Sequence, residues 1–380
     1  MRPILSVAGN VKRPDALQRY REAGADEVFF GAGTLFGSGR SEAHQTSEEE
    51  LAAFVTEAKR VGLTTAMLLN PACTGNKEFT EEGARAIVGM CNWINRYEID
   101  WVTIGNPWFV NVFKELCPDV KIKISSHYHC DSIGKFELFL DKLGVEMVIV
   151  PAFANKNFKL LREVANRWGG DKLEVMCTVP CITGCPYQTW HAPATAHGSQ
   201  HWIPDSCDFP CHHEYATAPH VVVSSFFVRR EDMRFYQELG INTFKIGERF
   251  KPPEVNVSCI EYFRGGPREG LSRLLWPRGT VIDIDTDKLD GFYEVFFNEQ
   301  CDGTKYNCTD CDHCVRYGQK AVVYGENHEA QLGTKRLGSH KGMFDGYVDL
   351  LKNAMAKTEA AAPDLPHVHD GEGCGCHIEE

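Results

Sequence analysis

The residues of this chain best suited to chemistry are nine cysteines in two groups. Cys177, Cys181 and Cys185 are followed by Cys207 and Cys211, and further along stand Cys301, Cys308, Cys311 and Cys314. Within the first group, Cys181–Cys185 and Cys207–Cys211 each enclose three residues. Gly184, Pro186 and Pro210 lie beside them and turn the backbone so that neighbouring thiols can face one way. Four converging thiolates suit an iron–sulfur cluster or a structural zinc, and spacing alone leaves both open. In the second group the two-residue gaps of Cys308-Thr-Asp-Cys311-Asp-His-Cys314 resemble a ferredoxin ligand run, with Cys301 as the fourth donor. We expect a second 4Fe-4S cluster there, with zinc as the alternative, because zinc ribbons use the same gaps.

Composition frames this reading. The chain has 380 residues, 43% of them hydrophobic, enough for one large α/β unit or two smaller ones. No apolar run is long enough for a membrane span, and the N-terminus lacks the apolar core of a signal peptide, so we expect a cytoplasmic protein. In a reducing compartment, clustered cysteines point to metal ligation rather than disulfides. A net charge of −12 argues against a broad nucleic-acid footprint, without excluding a local one.

Other familiar chemistry is absent. The sequence has no G-x-S-x-G elbow and no H-E-x-x-H helix, and His212-His213-Glu214 lacks a second spaced histidine. Gly31–Gly39 is glycine-rich, but no Lys-Ser/Thr closes it into a P-loop. The cysteines also fall too late, and with the wrong spacing, for a radical-SAM cluster after a first strand. Cys91 and Cys117 fall in helical segments and read as core residues.

Positioning these groups is the work of a repeating pattern. Eight short apolar runs read as strands: 3–7, 27–31, 64–69, 101–105, 121–126, 147–150, 173–177 and 243–247. Helical patterns separate them. Ser47 with Glu50 makes a capping box before Leu51, Phe54, Val55 and Ala58, and Phe136, Phe139, Leu140 and Leu143 mark a later helix. We therefore expect an α/β fold, a (β/α)8 TIM-like barrel over residues 1–265. A metal-binding, cysteine-rich insertion (177–228) follows strand 7, at the C-terminal mouth where such barrels keep their active sites. An open doubly wound sheet is the weaker choice, since no nucleotide fingerprint is present. Residues 266–356 form a C-terminal extension with the second cysteine group, with strand-like 280–284 and 291–297. The 357–380 tail, with Cys374, Cys376 and three histidines, is expected to be flexible, as a metal scavenger or merely solvated.

A barrel brings particular polar residues to the mouth. His127, His129, Glu248 and Arg249 are the candidate catalytic groups, and Asn10, Asn70 and Asn106 the candidate cofactor-binding groups. Trp108 and Tyr128 are candidates to stack on a flat ligand.

An ordered series of motifs resembles peptidase family U32, the collagenase-like peptidases. It comprises Val7-Ala-Gly-Asn10, Gly24–Gly31, Leu69-Asn70, Cys207-x-x-Pro210-Cys211 and Gly240–Arg249. The likeness covers about residues 1–265. It implies a barrel with a cysteine-bound 4Fe-4S cluster near its mouth, for which Cys185, Cys207 and Cys211 are the expected ligands, completed by Cys181 or Cys177. It further implies an oxygen-independent hydroxylase acting with a prephenate-like oxygen donor. The alternatives are a peptidase, or a non-catalytic iron–sulfur partner or electron carrier beside a second barrel subunit. Two motifs depart from the family: Ile182-Thr-Gly-Cys185 lacks the family's arginine, and Lys245-Ile-Gly-Glu-Arg249 exchanges glycine and glutamate.

Overall fold

A computed structural model describes residues 2–31, 36–37, 46–179, 181–185, 187–196, 209–249, 251–267, 282–303, 308–326, 348–349 and 352. Eight parallel strands close into a barrel: β1 (Ile4–Ala8), β2 (Glu27–Gly31), β3 (Thr64–Leu69), β4 (Trp101–Ile104), β5 (Lys121–Ile124), β6 (Met147–Ile149), β7 (Leu173–Met176) and β8 (Thr243–Ile246). The ring closes where Ile4–Val7 of β1 pairs with Thr243–Ile246 of β8. All eight expected strands are present, and the expected barrel is the observed fold.

Helices clothe the strands: α1 (Leu17–Ala23), α2 (Glu48–Arg60), α3 (Glu81–Tyr97), α4 (Trp108–Leu116), α5 (Ile133–Glu137) and α6 (Phe158–Trp168). The start of α2 is set by the expected capping box. Glu50 N donates to Ser47 Oγ at 3.2 Å, and Ser47 N donates to Glu50 Oε2 at 2.9 Å. Its apolar stripe, Leu51, Phe54, Val55 and Ala58, is the buried face. The Phe136–Leu143 stripe lies on α5 and on a π-helical turn, Leu138–Lys142, rather than on one regular helix. Phe136 and Phe139 are still buried.

Between β7 and β8 lie α7 (Gln188–Ala196), α8 (Phe209–Thr217), α9 (Pro219–Ser224) and α10 (Met233–Gln237). After β8 comes α11 (Pro253–Phe263). The C-terminal extension contributes β9 (Ile282–Ile284), α12 (Glu294–Phe297), α13 (His313–Ala321) and β10 (Val322–Tyr324), with β9 and β10 antiparallel. The strand-like reading of 291–297 is corrected. Phe292 and Tyr293, in a turn, and Phe296, on the short helix that follows, pack as an aromatic cluster, so their apolar run reflects burial, not a strand period. α13 lies against α9 so closely that a Cβ on Gly318 would come within 2.6 Å of the Pro219 backbone. No helix among the described residues is long and apolar enough to cross a membrane.

The inside of the barrel is not purely apolar. Ala8, Phe29, Ala66 and Leu68 form a small inner cluster. Around it, Lys123 Nζ bonds Glu27 Oε1 at 2.7 Å and Glu174 Oε2 at 2.6 Å, and Ser6 Oγ donates to Glu27 Oε1 at 2.6 Å. Lys245 Nζ lies 3.5 Å from Glu174 Oε1 and 3.6 Å from the Phe29 ring centre. Such a network holds only because each charge meets its opposite.

Candidate active site at the barrel mouth

Side chains alternate along β7. Glu174 points into the barrel, so Val175 and Cys177 face the helix layer. Cys177 is fully buried there. Burial pushes its thiol well above the ordinary range, and Cys259 of α11 adds to the rise. Its Sγ lies 3.9 Å from Val175 O. Cys177 is therefore a buried residue packed with the core outside the barrel interior.

Cys181 and Cys185 follow β7 directly, both half-buried, on a turn that Gly184 makes at φ +69°. Thr183 between them donates its hydroxyl to Ser224 O at 2.7 Å, which pins the turn to the end of α9. Cys211 is half-buried on α8. Cys207 lies outside the described residues, as do the 357–380 tail and most of the Gly31–Gly39 loop.

Across the mouth, Asn70 follows β3. Its Nδ2 donates to Ser125 Oγ at 3.0 Å, its carbonyl lies 3.1 Å from His127 Nδ1, and its buried Oδ1 has no hydrogen-bond partner among the described residues. Ser125 Oγ also accepts from His127 N at 3.2 Å. The turn after β5 thus ties Asn70 and His127 together. His129 follows in a left-handed conformation, φ +55°, with its ring edge-on to Phe153 at 5.2 Å. Burial, helped by the Lys135 charge, pushes its imidazole below the usual 6.5, so it is mainly neutral at pH 7.

Glu248 and Arg249 leave β8 under the control of a residue the sequence did not single out. Asn256 of α11 is 1% exposed. Its Nδ2 donates to Ala8 O and to Glu248 O, both at 3.0 Å, while its Oδ1 accepts from Glu248 N at 3.1 Å. One amide side chain thus ties the end of β1 to the exit of β8. Gly247 has φ +80°, and a Cβ there would meet Asn256 Oδ1 at 2.8 Å. The glycine of the exchanged Gly-Glu pair is where the backbone requires it.

Two candidates hold turns beside them, and Asn106 also reaches Glu78 in the loop after β3. Asn10 Oδ1 accepts from Lys12 N at 3.0 Å. Asn106 donates to Glu78 Oε1 at 2.8 Å and accepts from Trp108 N at 3.1 Å. These contacts make both turn-forming residues. Tyr128 packs edge-on against buried Phe139 at 4.6 Å, which commits one side of its ring to the core. Trp108 is 70% exposed, edge-on to Phe79 at 5.9 Å. Cys91 and Cys117 are core residues as expected, with Cys117 Sγ donating to Cys91 O at 3.7 Å. A cleft of about 490 Å³, lined by Arg229, Asp232, Asp290 and Tyr293 among others, lies outside the mouth, and no strand-end residue named above lines it.

In the extension, Cys301 and Cys314 are half-buried and Cys308 and Cys311 exposed. Burial pushes Cys314 up to about 11, against the pull of Lys156, and raises Cys301 as well. Charge on Cys308 or Cys311 would raise both further, so the four thiols share one local field. Among the described residues, no three His, Cys, Asp or Glu side chains are drawn together closely enough to hold a metal ion. The donor types are those of a thiolate centre, and Gly303 N donates to Cys301 Sγ at 3.4 Å, the kind of contact that tunes such sulfurs.

Residues 12–269 match the family model described as Peptidase family U32. The chain belongs to peptidase family U32. A relative from Methanocaldococcus jannaschii, described as an uncharacterized protease, MJ1657, is 24% identical over 306 residues, covering 78% of this chain and 88% of its own length. The solved structure of the U32 peptidase Mk0906 is 18% identical, with a TM-score of 0.47, over 66% of this chain and 95% of its own. A phosphodiesterase from Oleispira antarctica, solved with sn-glycerol-3-phosphate, gives 11% identity and a TM-score of 0.32 over 46% of this chain and 83% of its own.

Proposed function

We propose that this U32 chain is an enzyme acting at the C-terminal mouth of its barrel through a thiolate-held iron–sulfur centre, as an oxygen-independent hydroxylase. The observation that carries this reading is the turn after β7. It sets Cys181 and Cys185 directly beyond a barrel strand and fixes them through Thr183 and Ser224. Cys181, Cys185 and Cys211, with Cys207 by sequence, are the ligands we assign. A 4Fe-4S cluster bound there supplies electron transfer. The chain's own residues supply the rest. Arg249 offers a planar fork to a carboxylate of an anionic, prephenate-like donor. His129, mainly neutral at pH 7, accepts or relays a proton rather than adding charge. The His127–Asn70 pair shapes the opposite wall.

A second reading, peptide-bond hydrolysis, is favoured by the comparisons, since both the family and the relative from Methanocaldococcus jannaschii carry peptidase or protease descriptions. Two experiments separate the readings. Anaerobically purified chain is assayed for iron, acid-labile sulfide and cleavage of a collagen-like peptide. Small metabolites and modified nucleosides are then compared between a deletion strain and its parent. A hydroxylated product missing from the deletion strain supports the first reading. Peptide cleavage by metal-free protein overturns it in favour of the second.

A further inference from the structure

Lys156 is a buried cation whose surroundings need explaining. Its side chain is fully enclosed, with Phe292 and Phe296 ring centres 5.3 and 5.1 Å from Nζ. Nζ donates to Ser225 O at 2.7 Å and Ser224 O at 3.0 Å, and makes no ion pair among the described residues. Carbonyl dipoles solvate an ammonium but do not neutralise it, and an isolated buried charge is strongly disfavoured. The carboxylate whose charge reaches it, Asp232, is committed to Arg229, which grips both its oxygens at 2.6 and 2.8 Å. The remaining acidic groups facing Lys156 are the thiols of Cys301 and Cys314.

The fold builds this neighbourhood from both sides. Gly303, whose N–H donates to Cys301 Sγ, packs against the Lys156 stem, where a Cβ on the glycine would sit 3.0 Å from Lys156 Cβ. On the other side, α13 begins with His313, which stacks on Phe292 at 5.2 Å and carries Cys314 next to it. The same Phe292 ring covers the ammonium. Cys308 and Cys311 lie between these anchors in the chain and are exposed, where ligation can draw them inward.

We propose that Cys301, Cys308, Cys311 and Cys314 bind a metal centre as four thiolates and that Lys156 is its built-in counter-charge. A metal deprotonates coordinating thiols outright, and four thiolates supply the negative charge that the buried ammonium otherwise lacks. The shared chemistry is a four-cysteine thiolate centre, filled by an iron–sulfur cluster or by a single zinc ion. Ser224 O accepts from both Lys156 Nζ and Thr183 Oγ1, so one carbonyl links this centre to the cysteine turn at the barrel mouth. The proposal does not depend on the chemistry assigned to the mouth.

The test uses the full chain, purified anaerobically, with iron, sulfide and zinc measured per chain. It compares wild type with Cys308→Ser/Cys311→Ser, with Cys181→Ser/Cys185→Ser and with Lys156→Met. The first pair is exposed, and circular dichroism checks that the fold survives. We expect that pair to lose one centre's worth of metal while the mouth pair keeps it. Loss of iron with sulfide identifies a cluster, and loss of zinc alone identifies a zinc site. With circular dichroism unchanged, Lys156→Met should release the same metal to a chelator at least about tenfold faster. Unchanged metal content in Cys308→Ser/Cys311→Ser would overturn the proposal. Unchanged release from Lys156→Met would overturn the counter-charge role.

Discussion

Lys123 and Glu174 meet inside the barrel at 2.6 Å, with side chains 1% and 0% exposed. Burial alone would strip the lysine of its proton, but Glu174 and Glu27 outweigh it and hold its pKa above the usual value. Removing the lysine therefore leaves Glu27 without its cation and Glu174 with Lys245 alone. Lys123→Met is expected to lower stability by about 3–5 kcal/mol in urea unfolding. A loss under about 1 kcal/mol would mean that the network is not closed as described.

Asn256 makes a separate prediction. Asn256→Ala leaves the Ala8 carbonyl and the Glu248 backbone without their buried partner, and should cost about 2–3 kcal/mol. The damage should be local. Hydrogen exchange at Glu248 and Arg249 is expected to rise more than at β4 or β5. Uniform acceleration across the barrel would instead make Asn256 a general core residue.

For His129 the sign matters. Its folded pKa lies below the unfolded value near 6.5, so the unfolded chain binds more protons in the window below that value. Its contribution therefore favours the folded state increasingly as pH rises toward 6.5 and levels off above it. Urea midpoints from about pH 5 to 7.5 should fall less steeply toward acid in His129→Gln than in wild type. Half-protonation of the His129 ring, followed by NMR, should occur below 6.5. A midpoint above 6.5 would contradict the burial argument.

How much of this was legible depends on the period of the signal. The barrel strands were readable because each is a short apolar run between helical patterns, and the α2 start because Ser47 and Glu50 carry a complete cap. The ionic interior was not foreseen from the sequence. Glu27, Lys123, Glu174 and Lys245 each place a charge inside a run read as a strand, and the barrel buries these four against one another. Strand alternation sets Cys177, three positions from inward-facing Glu174, on the opposite face. Asn256 carried no signal, because a lone asparagine between Val255 and Val257 gives no hint that three backbone groups converge on it. The 291–297 run misled because aromatic residues suit strands, whereas here they bury into a helix around Lys156.

The Ser47 cap offers a small check on the local reading. Ser47→Ala should cost about 1 kcal/mol, while Ser47→Asp should be nearly neutral. Equal losses in both would show that the hydroxyl does not cap α2.

The central claim is that thiolates beyond β7 hold an iron–sulfur centre at the barrel mouth. The most direct test measures iron and acid-labile sulfide per chain in anaerobically purified protein, wild type against Cys181→Ser/Cys185→Ser. We predict a coloured wild-type protein with iron and sulfide in similar amounts, and a clear loss of both in the double variant. A colourless protein without sulfide, or a double variant with undiminished iron and sulfide, would contradict it.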